Sequence, residues 1–111
     1  MNETNNPIAY TSLLRDAINN SPESYDAHRG NYESIIKSLP EERLYSLIET
    51  ALKKIPEREK EILELRYGLH GETHTLQKVG EQFQISRERV RQIQKKALKH
   101  LADQGLEGQL Q

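Results

Sequence analysis

The chain contains no cysteine. That excludes a disulfide framework and any thiolate metal site or nucleophile, and it suits a reducing compartment. Aromatic residues make up only 5% of the chain and β-branched runs are absent, so there is little from which to build a sheet. No apolar run approaches membrane-spanning length. The opening Met1-Asn2-Glu3-Thr4-Asn5-Asn6 lacks the basic start and apolar stretch of a signal peptide. A soluble intracellular protein with no membrane partner is expected. An enzyme is not: no carboxylate pair, nucleophile or phosphate loop stands out on a scaffold large enough to enclose a substrate.

What is present points to helices. A length of 111 residues allows one small domain with an appendage. The 34% hydrophobic content is low and the 30% charged content is high, as in a thin core wrapped by charged helices. The expected class is all-α, a small helical bundle. Net charge is only −1, but its distribution is uneven. Residues 1–56 carry six basic and eight acidic side chains, whereas Ser86 to Leu101 carries six basic residues against the single acid Glu88.

Helix punctuation recurs along the chain. Asn6-Pro7 and Ser21-Pro22-Glu23 each pair a capping side chain with a proline suited to the first helical position. The first predicts a helix over roughly 8–19 with Ile8, Leu14 and Ile18 as its apolar contacts. The second predicts a helix from Pro22 that breaks at Gly30, with another turn or two over 31–38. Leu44, Ile48, Ala51, Leu52 and Ile55 recur at spacings of three and four, the stripe of an amphipathic helix that ends before Pro56. Pro56 opens the next helix, with Ile62, Leu63 and Tyr67 facing the core, Leu65 at the edge and Gly68 as a left-handed stop. Residues 70–74 read as a loop. Thr75 caps a short helix carrying Leu76, Val79, Gly80 and Phe83. Gln84-Ile85 make a turn, and Ser86 caps a last helix whose buried face is Val90, Ile93, Ala97, Leu98 and Leu101. The tail beyond Ala102, with Gly105 and Gly108, is expected to fray. These boundaries predict an N-terminal helical appendage of unknown role over 1–39, a domain over 40–102 and a flexible tail over 103–111.

A short helix, a tight turn and a longer helix form the helix-turn-helix arrangement used on DNA. Gly80 stands where the two helices approach. Arg87, Glu88, Arg91 and Gln92 then cluster on the exposed N-terminal end of the last helix, the end that enters a major groove. Arginine bonds guanine O6 and N7, glutamate accepts from cytosine N4, and glutamine pairs with adenine. Lys95, Lys96 and Lys99 lie further along, placed for phosphate or an acidic partner. A basic helix face taken alone is usually just solvated. The cap, the glycine, the turn and the basic face together favour the DNA-binding reading. His70, His74 and His100 lack the partner cysteines or helical spacing of a metal site, and no cofactor is expected.

Pro56-Glu57-Arg58-Glu59-Lys60-Glu61-Ile62-Leu63-Glu64-Leu65-Arg66-Tyr67-Gly68-Leu69, Thr75-Leu76-Gln77-Lys78-Val79-Gly80 and the run from Ser86 to Leu98 resemble region four of bacterial sigma factors of the housekeeping and stationary-phase type. Residues 40–54 fit the preceding helix of that family more loosely. The resemblance implies recognition of the promoter −35 element together with a grip on the RNA polymerase core through its β flap, in the bacterial cytoplasm at the nucleoid. Carried over by position, Arg87, Glu88, Arg91 and Gln92 are the implied base readers. Arg58, Arg66, Thr75, Leu76, Arg89 and Lys95 are the implied phosphate contacts. Lys96 and Lys99 fall where activators touch the family. The apolar surface of helices 43–55 and 57–67 is implied to hold the flap tip. Arg58 and Arg66 could instead pair with Glu59, Glu61 or Glu64.

Nothing in residues 1–39 resembles the promoter-melting region two, so that task is expected to fall elsewhere, in a separate region-two-bearing subunit. Three accounts fit: half of a split sigma factor, a small regulator on a sigma-like fold, or a fragment of a longer chain. The alternative class is a protein-interaction module, a sigma mimic that binds polymerase or an anti-sigma factor and reads little DNA. A response-regulator output domain shares the Pro-Glu-Arg-Glu opening but not the helix that follows Ser86.

Overall fold

Asn6 starts the first helix by chemistry visible in the sequence. Its side-chain oxygen accepts from the backbone N–H of Ile8 at 3.0 Å and of Ala9 at 3.4 Å, and Pro7 needs no such partner. The computed structural model of the protein describes residues 5–21 and 29–106. Those residues form α1 (Pro7–Asn19), α2 (Arg29–Ser38), α3 (Glu41–Leu52), α4 (Glu57–Tyr67), α5 (Leu76–Phe83) and α6 (Arg87–His100). A π-helical turn over Leu101–Gly105 follows, and no strand occurs among the described residues. The all-α expectation is met.

The buried stripe of α1 is Ala9, Tyr10, Leu13, Leu14, Ala17 and Ile18. Ile8, expected inside, is 77% exposed. At about 100° per residue it lies roughly 170° round the helix from the centre of the buried stripe, on the opposite face. Further on, α2 begins at Arg29 and includes Gly30 in its first turn. Tyr32 and Ile36, four apart on α2, are both buried, and that burial offsets the cost of a glycine in the first turn. The helix expected from Pro22 lies outside the described residues up to Arg29.

Two apolar clusters result. The larger joins α1, Tyr32 and Ile36 of α2, and Leu44, Leu47, Ile48, Ala51 and Leu52 of α3 to Leu63, Leu69, Ala97, Leu98, Leu101, Ala102 and Leu106. The smaller joins Ile62, Val79, Val90 and Ile93, with Leu65, Leu76, Phe83 and Ile85 at its edge. Adjacent residues Ile62 and Leu63 thus serve different clusters, and so do the two halves of α6. α1 belongs to the larger cluster instead of hanging beside the domain. Its polar anchors reach across the sequence: the Tyr10 hydroxyl donates to Glu49 and the Tyr67 hydroxyl to Asp16, each at 2.5 Å. Burial and these carboxylates push both phenols well above their usual range.

The connections are tight. Gly68 ends α4 at φ 66°, ψ 45°, the left-handed stop its position promised. Gln84 takes the same conformation between α5 and α6, where a non-glycine residue is strained. Gly80 is close-packed against that turn, since a Cβ there would lie 2.6 Å from the Ile85 carbonyl oxygen. The chain beyond Ala102 does not fray at once. Leu106 is buried, its N–H donates to Leu101 O at 2.8 Å, and a Cβ on Gly105 would meet Ala51 O at 2.8 Å. The glycine read as a source of looseness is what lets the chain lie against α3.

Leu14→Ala is expected to cost about 2–5 kcal/mol, and Ile8→Ala less than about 0.5 kcal/mol, in urea unfolding. By the same measurement Gly80→Ala should cost about 1–3 kcal/mol. Gly71→Ala should be neutral, because nothing lies within 4 Å of a Cβ there.

Candidate DNA interface

Ser86 opens α6 by accepting from the Arg89 N–H at 3.0 Å, as Thr75 opens α5 by accepting from the Lys78 N–H at 3.0 Å. Val90 and Ile93 are buried behind the first turns of α6, which aims Arg87, Glu88, Arg89, Arg91 and Gln92 into solvent. The four implied base readers therefore share one exposed helix end.

In the free protein some of these groups are bonded to each other. Arg91 donates to both carboxylate oxygens of Glu88, at 3.0 and 2.7 Å. Gln92 donates to the same carboxylate at 3.4 Å, and Arg89 donates to Gln92 at 3.5 Å. The Arg91 guanidinium holds the Glu88 carboxyl below the usual carboxylate range, and Glu88 raises Arg91 in turn. Both side chains are more than half exposed, so the pair orders the surface without locking it. Base edges can replace these partners.

A shallow cleft beside the readers is lined by Arg66, Thr75, Leu76, Gln77, Arg87 and Glu88. It brings three of the implied phosphate contacts together with two of the implied base readers. Arg66 does not pair with Glu59, Glu61 or Glu64. It donates to Gln94 Oε1 at 2.8 Å and to the His74 carbonyl at 2.7 Å, tying α4 to α6 and to the loop before α5. Guanidinium geometry allows further donors toward solvent. Gln77 and Gln94 are the residues missed here; Gln77 could have been noticed two positions after the Thr75 cap.

A second groove is lined by Asn20, the cap residue after α1, with Arg91, Gln92, Lys95, Lys96 and Lys99 of α6. Lys99 lies 3.2 Å from Asp103. Arg58 is exposed in the first turn of α4 and lines neither cleft.

In the free chain the implied partner surface is covered. The apolar stripe of α3, implied as the seat of a partner helix, is buried in this chain's own core against α1. Ile62 and Leu63 of α4 are buried as well. The physical reason is that α1 supplies Tyr10, Leu13, Leu14 and Ala17, which bury the stripe within the chain. His70 also has company that its sequence position did not show. Its Nε2 lies 3.5 Å from Glu49 and 3.8 Å from Glu64, and its Nδ1 lies 3.1 Å from Asn5 Oδ1. The three side chains bring one ligand atom each within 4.8 Å of one another. Burial raises the Glu64 carboxyl above its usual range.

Comparison with known proteins bears on this surface. Residues 51–103 match the family "Sigma-70, region 4". The RNA polymerase sigma factor SigA4 of Synechococcus elongatus is 49% identical over 55 residues, covering 49% of this chain and 18% of that protein. The sigma factor SigA of Lactococcus lactis subsp. cremoris is 38% identical over 90 residues, covering 71% of this chain and 24% of that protein. Residues 51–103 are a sigma-70 region 4 domain. The chain thus spans a quarter or less of these relatives' length. No solved structure gives a significant match. The region 4 match contains α4, α5 and α6 whole, and with them both clefts except Asn20. It does not contain α1. No helix among the described residues is long and apolar enough to cross a membrane.

Thr75 serves as a helix cap whatever else it touches. Thr75→Ala should lower stability by about 1 kcal/mol and Thr75→Ser should restore most of it, as read from thermal unfolding without DNA.

Proposed function

We propose that this region 4 domain binds the −35 element of promoters as duplex DNA and works in transcription initiation with RNA polymerase. The observation that carries the reading is the capped, exposed N-terminal end of α6. It presents Arg87, Glu88, Arg91 and Gln92 together, over a packed Val90–Ile93 base. Each of those side chains has a matching base edge in the major groove. Arg66, Thr75 and Leu76 border the same end through the shared cleft, and together with Arg89 and Lys95 they take the flanking phosphates. Arg58 joins them from the start of α4. These contacts position the helix and leave sequence readout to the four readers.

The RNA polymerase core is the second partner, through its β flap. Because α1 covers the stripe of α3, the flap contact uses the outer surface of α4 or displaces α1. Lys96 and Lys99 fall at the family's activator-contact positions, with Lys99 paired to Asp103. The protein-interaction reading, with polymerase or an anti-sigma factor as target and little DNA readout, draws less support: its apolar docking surface is occupied, while the reading end of α6 is open. The site of action is the bacterial cytoplasm, at the nucleoid.

Selection of duplexes from a random pool should return a defined element. On that element Arg91→Ala should lose about 1–3 kcal/mol and relax the preference at one position. Lys95→Ala should weaken all duplexes about equally. A selection that returns no consensus, with Arg91→Ala binding like the parent, would refute direct readout.

A further inference from the structure

The groove between the end of α1 and the outer face of α6 is completed from outside the matched region 4 residues, because Asn20 forms one of its walls. Arg91, Lys95 and Lys99 are spaced by four and stand in one row along α6, with Gln92 and Lys96 beside them. Eight residues of helix rise by about 12 Å, and a major groove is about 12 Å wide. A row that begins at a base reader therefore continues along the helix away from the base edges.

Charge singles out the middle of that row. Arg91 is compensated by Glu88 and Lys99 by Asp103. Lys95 and Lys96 are exposed and have no acidic partner among the described residues. The opposite wall is firm. The Asn20 carboxamide donates to the Asp16 carbonyl at 2.9 Å, and the next residue, Ser21, bonds Asp103 through its hydroxyl. The end of α1 is thus pinned to the turn that follows α6.

From this arrangement we infer that the α1–α6 groove holds the sugar-phosphate backbone of the duplex strand that borders the reading helix. This makes α1 part of the DNA interface and gives Lys96 a phosphate instead of a protein partner. The inference rests on the DNA-reading function proposed above. Continuity carries it: Arg91 and Gln92 belong both to the reading end and to this groove, so a duplex seated on one lies along the other. The ligand class is a polyanionic strand. Two neutral carboxamides, from Asn20 and Gln92, flank the cations without adding a carboxylate to the lining.

The test measures binding of the selected duplex and of a scrambled one by fluorescence anisotropy between about 50 and 200 mM salt. Each phosphate neutralised contributes about 0.9 to the slope of log affinity against log salt. Lys96→Gln should reduce that slope by about 0.9 and Lys96→Arg should keep it. Asn20→Lys should raise the slope by a similar amount, and the nearly isosteric Asn20→Asp should weaken both duplexes several-fold. Thr50→Lys, the same charge change on an exposed position of α3 outside the groove, should leave the slope unchanged. The preference for selected over scrambled duplex should be the same in all five. If Lys96→Gln and both Asn20 variants keep the parent slope and affinity while Arg91→Ala relaxes specificity, the groove assignment falls and the DNA-reading function stands. If Arg91→Ala is silent as well, the function itself falls. Loss of polymerase capture by Lys96→Gln at an unchanged slope would make this a protein site and overturn the inference.

Discussion

The rest of this structure depends on α6 being gripped at both ends. Its first half contributes Val90 and Ile93 to the small cluster with α4 and α5, and its second half contributes Ala97 and Leu98 to the large cluster with α1 and α3. Joined through one helix, the two clusters hold its outer face in a fixed direction. A reading helix needs that, because hydrogen bonds to base edges tolerate little misorientation. The close approach of Gly80 to the α5–α6 turn sets where the helix begins, and the Ser86 cap sets its first turn.

α1 changes what the surrounding surface can do. By filling the stripe of α3, it converts an apolar face suited to docking into interior, and its far end becomes a wall beside the lysines of α6. The pinning by Tyr10 on Glu49, Tyr67 on Asp16 and Ser21 on Asp103 spreads over the whole length of α1. The chain thus combines a region 4 unit with a brace of its own, and the brace redistributes surface between protein contact and DNA contact.

The parts of this arrangement that were legible in the sequence are those decided by near neighbours. The caps at Asn6, Thr75 and Ser86, the stop at Gly68 and the buried face of α6 all follow from spacing and local hydrogen bonding. The exposed readers follow once that face is known. Most misjudged features depended on distant partners, whereas Ile8 was decided by its place on its own helix. Ile8 reads as core by composition, yet its angular position puts it outside. Gly30 and Gly105 read as breaks, yet burial of Tyr32 and Ile36 and the approach to Ala51 decide their neighbourhoods. Arg66 offers charged neighbours on its own helix, yet it bonds Gln94 and the His74 carbonyl, partners fixed only by the packing of α4 on α6. No local pattern marks Asn20 or the meeting of His70 with Glu49 and Glu64.

The most direct measurement is a titration of isotope-labelled protein with the selected duplex, followed by amide and side-chain NMR. The account predicts the largest shifts over residues 86–96 and at Thr75 to Gln77, with the Arg91 Nε–H signal moving as Glu88 is exchanged for a base, and little change over α3. Saturating duplex that leaves 86–92 unmoved, or shifts confined to α2 and α3, would contradict it.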